Sequence, residues 1–249
     1  MSPSDADLLP PVELLFDGTN NLSDYVQIGE GFVNYFLLNH ARLLPHEAVL
    51  DLGSGVGQKS RPLSRYLTKR YEGLDIMPDA VAWCQSAYTR FPIFRFQVAD
   101  IHSAFYNPAG TQRPEEYTLP YEDETFDLVV LSSVFTHLLP AAVARYLGEI
   151  SRVLRPGGRC VATYFLLNPD ALRGIRDNKN TISAPHRWSE GCFVADLEKP
   201  EATVFHEESG IREMYAGAGM NIVEMTFGNW PGRTDLVGCL QDAILSVKP

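Results

Sequence analysis

Hydrophobic and polar positions change rhythm along this chain. From residue 48 onward, short apolar runs alternate with stretches whose apolar residues recur at helical spacing, the order that builds a parallel sheet flanked by helices. Residues 48–52 read as a first strand, 58–67 as the helix after it, and 71–76 as a second strand. Pro78 suits a first helical position, and Ala80, Trp83, Cys84, Ala87 and Tyr88 then fall on one helical face. Residues 94–99 form a third strand, and 126–131, apolar apart from Asp127, read as a central strand covered on both sides. Pro140 opens a helix with Val143, Tyr146, Leu147, Ile150, Val153 and Leu154 as its core stripe. That helix stops at Pro156-Gly157-Gly158, before a fifth strand at 159–167.

After Asn168 the pattern lapses for some forty residues. It resumes with a short helix on Ile211, Met214, Tyr215 and Ala218, then strands at 221–227 and 242–247. A connection of that length usually carries function, so residues 168–205 are read as a cap inserted in a single domain, 1–249. Residues 1–47 are read as a tail, loose over Met1 to Pro11, and a docking helix with Phe32, Tyr35, Phe36 and Leu43 on its apolar side. No repeat appears.

Composition narrows the function classes. A chain of 249 residues buries an ordinary core, and its net charge of -10 lacks the basic footprint that binding to nucleic acid requires. The four cysteines form no C-x-x-C pair and read as reduced core thiols, as in a cytoplasmic protein. The N-terminus lacks the basic-then-apolar pattern of a signal peptide. No apolar stretch reaches the roughly 18 residues of a membrane span. Neither a metal site nor a membrane partner is expected.

The candidate chemistry begins at Asp51-Leu-Gly53-Ser-Gly55-Val-Gly57. Alternating glycines let a backbone turn tightly and approach a ligand without Cβ obstruction. The dinucleotide fingerprint requires G-x-G-x-x-G, and Gln58 stands where its third glycine belongs. Asp51 would repel a pyrophosphate and suits a cationic ligand. Asp75 and Asp100 close the next two strands, where ligands of open parallel sheets sit. Each aspartate taken alone also fits a solvated helix cap, and a glycine-rich turn alone fits many strand-to-helix junctions.

These residues resemble the motifs of class I S-adenosylmethionine-dependent methyltransferases, of the bacterial small-molecule type. Phe126-Asp127-Leu128-Val129-Val130 is similar to the family's fourth motif, and Val153-Leu154-Arg155-Pro156-Gly157-Gly158 to its loop before strand five. The resemblance implies a Rossmann-like α/β fold: a seven-stranded, mostly parallel sheet with an antiparallel last strand. It implies S-adenosyl-L-methionine as cofactor, held by Asp51, Gly53, Ser54, Gly55, Gly57, Asp75 and Ile76 with Asp100, Ile101 and Ser132. Asp75 would meet the ribose hydroxyls and Asp100 the adenine. In similar enzymes a segment like Tyr25 to Phe32 folds over the cofactor, which adds Tyr25, Gln27 and Gly29, with an ordinary docking helix as the alternative. A nicotinamide dehydrogenase is the competing fold reading, but no Tyr-x-x-x-Lys pair accompanies Asp75.

The reaction so implied is methyl transfer to a small-molecule acceptor, with a hydroxyl oxygen favoured. Nitrogen or carbon acceptors, or a cofactor-binding protein without catalysis, stand as alternatives. A hydroxyl acceptor gains from a general base, and His137, after the fourth strand, is the candidate for base or acceptor-orienting group; a histidine that only braces its loop is the competing reading. Arg173, Arg176, Lys179, His186, Arg187 and Trp188 in the cap suggest a site for an anionic acceptor or else a solvated face. Trp230, Gly232, Arg233 and Asp235 form a second polar and aromatic cluster that reads as pocket wall or surface loop.

Overall fold

The computed structural model describes residues 8–16, 21–183, 185–234 and 239–249. Its main sheet is built from β1 (Ala48–Leu52), β2 (Arg70–Asp75), β3 (Phe94–Val98), β4 (Phe126–Leu131), β5 (Leu154–Tyr164), β10 (Asn221–Thr226) and β11 (Asp242–Val247). They lie in the order β3-β2-β1-β4-β5-β11-β10. The pairs from β3 to β5 are parallel, and β11 runs antiparallel to both β5 and β10. The sheet therefore has the expected seven strands and one reversed strand.

Side chains alternate across this sheet, as the two-residue strand period requires. On β1, Leu50 and Leu52 join one core with Val143, Leu147 and Ile150 of α4 (Pro140–Val153) and with Ile211 and Tyr215 of α6 (Glu208–Gly217). Val49 faces the other core, with Phe36, Leu37, Val81 and Cys84. Each fully buried large side chain stabilises the fold by about 1.5–3 kcal/mol relative to exposure. Asp51 lies two residues from Val49 and so falls on that second face, which decides its environment below.

The helix read at 58–67 contracts to the single turn α2 (Ser60–Leu63), flanked by turns. Pro62 explains the later start: it has no N–H to donate to the Gln58 carbonyl. The docking helix instead begins earlier than its apolar side suggested. Asn21 caps α1 (Leu22–Phe32) by accepting from the Asp24 amide at 2.9 Å, and the helix runs on through a π-helical stretch, Val33–His40, closed by the Ala41 amide on Phe36 O. The helix read from Pro78 opens there as α3 (Pro78–Ala87).

The tail is only partly as expected. Residues 1–7 lie outside the described residues, but Leu8 is buried in the second core and Leu9 packs near Val56.

The fifth strand ends at Tyr164 rather than 167. There the chain leaves the sheet, and the Leu166 amide donates to Asp242 Oδ2 at 2.7 Å instead of continuing the ladder. Residues 166–207 then form a second sheet, with β6 (Leu166–Leu167), β7 (His186–Ser189), β8 (Cys192–Val194) and β9 (Val204–Glu207) in the order β6-β9-β8-β7. The stretch expected as a cap is thus folded, with α5 (Pro169–Arg176) inside it, and its sheet extends past both expected boundaries.

Buried Asp242 fastens the two sheets. Besides Leu166 it accepts from the Gly228 amide at 2.8 Å, Trp230 Nε1 at 2.8 Å and Arg233 at 2.9 Å. Trp230 and Arg233, read as a candidate pocket wall, serve this joint instead, and Asp235 lies outside the described residues.

Candidate active site

Parallel strands deliver their carboxyl ends to one edge of the sheet, and there the loops after β1, β2, β3 and β4 enclose a cavity of about 200 Å³. Leu52 and Leu74 are register partners, so the glycine loop and Asp75 emerge side by side. Gly53, Gly55 and Gly57 all adopt left-handed φ angles, of 75°, 52° and 77°, which side-chain-bearing residues rarely hold. A Cβ on Gly53 would meet Val134 at 2.4 Å. The Gly55 amide donates to Asp75 Oδ2 at 2.7 Å, and the Met77 amide to Asp75 Oδ1 at 2.8 Å. Asp75 therefore ties the loop to the start of α3 while bordering the cavity.

The expected cofactor residues divide into two groups. Gly53, Ser54, Gly55, Asp75, Ile76, Ile101, Ser132 and Tyr25 line the cavity together with His137. Asp51, Gly57, Asp100, Gln27 and Gly29 do not, each for a visible reason. Asp51 is buried beneath the loop, where it accepts from the Tyr71 hydroxyl at 2.5 Å. Burial pushes its carboxyl above the usual range, against the opposing charge of Lys59 and the Tyr71 bond. Gly57 packs toward Tyr88, Cys84 and Ser60.

Asp100 is exposed and accepts from the amide and hydroxyl of Thr111, which lower its pKa; only its neighbour Ile101 reaches the cavity. Gln27 is exposed and donates to Ser23. Gly29 acts at a distance, because a Cβ there would lie 2.3 Å from the Gln58 carbonyl, the group Pro62 leaves without a helical donor. Its absence lets α1 close on the loop, and the Tyr25 hydroxyl bonds Val56 O at 2.9 Å.

His137 sits in the turn Phe135–His137 after β4. Its Nδ1 lies 3.0 Å from the backbone carbonyl of Glu201, which can only accept, so Nδ1 carries the proton. In the neutral ring Nε2 then holds the lone pair, 3.2 Å from the Tyr106 hydroxyl. Beneath this turn, Nε2 of buried His206 is 3.2 Å from Phe135 O, and burial pushes its pKa down to about 4. Ser133, at a left-handed φ of 60°, is braced by Thr163 and Gln241 and directs Val134 toward Gly53.

Phe16, Lys59, Tyr106 and Glu201 are among the wall residues that were not candidates from the sequence. Lys59 directly follows the glycine loop and carried a local signal. The others come from loops without periodicity. Among the described residues, no group of His, Cys, Asp and Glu stands close enough to hold a metal ion.

Residues 50–162 match the family model of a methyltransferase domain. The matched segment runs from β1 nearly to the end of β5 and contains the glycine loop, Asp75 and His137. Residues 50–162 form a methyltransferase domain. Its fold is shared with solved S-adenosylmethionine-dependent methyltransferases. The chain is 26% identical over 172 residues to an uncharacterized protein of Haemophilus influenzae, covering 69% of this chain and 61% of that one. It is 29% identical over 156 residues to phthiotriol/phenolphthiotriol dimycocerosates methyltransferase 1 of Mycobacterium ulcerans, covering 62% of this chain and 49% of the relative. It thus spans less than two thirds of either relative's length.

Among solved structures, it superposes on Burkholderia thailandensis 1,6-didemethyltoxoflavin-N1-methyltransferase, bound to 1,6-didemethyltoxoflavin and S-adenosylhomocysteine. The TM-score is 0.56, at 16% identity over 91% of this chain and 84% of that one. At that identity the likeness is one of fold. Tyr25, Phe16 and Glu201 reach the cavity from outside the methyltransferase domain, from the N-terminal segment and the second sheet's loops.

Proposed function

We propose that the chain transfers a methyl group from S-adenosylmethionine to a hydroxyl oxygen of a small-molecule acceptor, with His137 as general base. The cavity's chemistry fits the cofactor. A glycine cradle with left-handed backbone, one carboxylate suited to ribose hydroxyls and a lysine beside the loop suit a ligand that carries a ribose and a carboxylate. Asp75 would hold the ribose, the glycine loop and Lys59 the methionine end, and Ile76, Met77 and Ile101 the adenine. When bound, the cofactor supplies an electrophilic methyl group whose sulfur departs as a neutral thioether.

The observation that carries the oxygen reading is the fixed tautomer of His137. Its Nε2 lone pair lies on the wall of the cavity that the glycine loop bounds, in hydrogen-bond reach of the Tyr106 hydroxyl. A neutral amine needs no such base, whereas a hydroxyl does. Alignment of acceptor and methyl within the enclosed site supplies much of the remaining acceleration. The net charge of -10 disfavours nucleic-acid acceptors, and no helix among the described residues is long and apolar enough to cross a membrane. The free cysteines fit a reducing, cytoplasmic setting.

The test is labelled-methyl transfer across a panel of hydroxylated, amino and carboxylated metabolites, with wild type and His137→Ala. The expected outcome is methylation of a hydroxylated acceptor, reduced about 100- to 1,000-fold by His137→Ala with S-adenosylhomocysteine binding intact. Undiminished turnover in the variant would remove His137 from the mechanism.

A further inference from the structure

Glu201 belongs to the turn Pro200–Ala202 before β9, far in sequence from both His137 and the loop after β3. It binds each of them. Its backbone carbonyl accepts from His137 Nδ1 at 3.0 Å, and its carboxylate accepts from the Ser103 hydroxyl and the Ala104 amide, both at 3.2 Å. Ser103 Oγ in turn accepts from the Tyr106 amide at 3.2 Å, and the Ser103 and Asn107 backbones exchange bonds of 3.1 and 3.0 Å. The result is a tight turn that presents the Tyr106 hydroxyl to His137 Nε2 at 3.2 Å, the two rings meeting edge to face at 5.1 Å. Tyr106, His137 and Glu201 all border the cavity.

We infer that Tyr106 is a catalytic residue, relaying the acceptor's proton to His137, and that Glu201 is the positioning residue that assembles the pair. This rests on the methyl-transfer reading above. The proton balance is closed by groups on the page. The acceptor O–H proton passes to Tyr106 Oη as the phenolic proton passes to His137 Nε2. The electron pair left on the acceptor oxygen forms the new O–C bond, while the C–S pair stays with sulfur. The positive charge lost from sulfur reappears on the imidazolium, whose Nδ1–H remains on the Glu201 carbonyl. That imidazolium then releases its proton to water. A neutral tyrosine is suited to this place because its hydroxyl donates and accepts at once. The arrangement selects acceptors that present a hydroxyl to Tyr106, beside the Glu201 carboxylate, and therefore favours uncharged over anionic molecules.

The experiment uses the full chain labelled with 15N at histidine, with S-adenosylhomocysteine as probe. Nitrogen-detected NMR is expected to show His137 protonated at Nδ1 with a hydrogen-bonded lone pair at Nε2. Tyr106→Phe should move the Nε2 resonance toward that of a free lone pair, keep the tautomer, and leave affinity for S-adenosylhomocysteine within about twofold. With a hydroxylated acceptor from the panel, it should lower kcat about 10- to 100-fold, the lower part of the general acid–base range. Glu201→Ala should reproduce the Nε2 change, and Glu201→Gln should restore it, because the amide oxygen still accepts from Ser103 and Ala104.

A His137 protonated at Nε2, an Nε2 resonance indifferent to Tyr106→Phe, or undiminished kcat in that variant overturns the relay. An Nε2 resonance unchanged in Glu201→Ala overturns the positioning role. Failure of the wild-type chain to bind S-adenosylhomocysteine sinks the methyl-transfer reading itself, an outcome separate from the imidazole signals.

Discussion

The two ends of the cavity are built by different means. At the proposed cofactor end the wall comes from adjacent strands: Gly53 to Val56 follow β1, Asp75 ends β2 with Ile76 and Met77 after it, and the Gly55–Asp75 bond locks the two. At the proposed acceptor end the wall is side chains brought together from afar, Tyr106, His137 and Glu201, with Glu201 supplied by a segment outside the methyltransferase domain. A contiguous backbone cradle suits a ligand whose chemistry never changes. A site assembled from separate loops can be altered at one loop without disturbing the cradle. The two ends should therefore fail separately.

The largest effect is expected at Gly53. Gly53→Ala imposes a left-handed alanine, costing about 1–2 kcal/mol, and an overpacked contact with Val134, costing about 1–3 kcal/mol more. Denaturant unfolding should register the sum, and S-adenosylhomocysteine binding should be lost. An alanine variant that binds normally would break the view of the loop as a rigid cradle.

Acid should act on the other end first. The folded-state pKa of His206 is held near about 4, against an ordinary 6.5, so between those values the unfolded chain binds the extra proton and stability falls as pH is lowered. The loss approaches about 3 kcal/mol at full protonation. Asp51, beneath the glycine loop, has a raised pKa and shifts the opposite way, since its protonation favours the folded state as pH falls through that raised value. Urea unfolding from pH 7 to pH 4.5, compared with His206→Asn, checks this. Equal slopes in the two proteins would contradict the assignment.

A smaller change is expected at the brace of Ser133. Gln241→Ala removes its bonds to Ser133 and Thr163 and should cost about 1–2 kcal/mol, measurable by thermal unfolding, with cofactor affinity almost unchanged. The smallest effect is expected at Asp100. Its carboxylate is engaged with Thr111 outside the cavity, so Asp100→Ala should leave S-adenosylhomocysteine affinity within about twofold by calorimetry. A tenfold loss would mean that this side chain turns inward when ligand binds.

The same contrast explains what the sequence disclosed. Continuous apolar runs revealed the central strands of the main sheet, since a strand buried on both faces must be apolar throughout, and interrupted apolar patterns revealed the half-exposed edge strands β3 and β10. The glycine spacing and Asp75 marked the cradle because backbone geometry there depends on residue type. Asp51 lies away from the cavity for a reason that strand alternation contains: a residue two from Val49 points into the same core, whatever its charge. The Thr111 bonds that hold Asp100 outside the cavity come from a loop with no period.

Residues 168–205 looked patternless because strands of three or four residues and short helices offer too few periods to read. Tyr106 and Glu201 were illegible for the same reason, and only folding brings them to His137.

The central claim is that one end of the cavity holds the methyl donor and the other performs the proton chemistry. Isothermal calorimetry with S-adenosylhomocysteine on wild type, Asp75→Ala and His137→Ala tests it directly. Wild type is expected to bind tightly, Asp75→Ala to lose at least tenfold as the ribose loses its acceptor and the loop its tie, and His137→Ala to keep wild-type affinity. Absence of binding by wild type, or a loss in His137→Ala as large as that in Asp75→Ala, would contradict it.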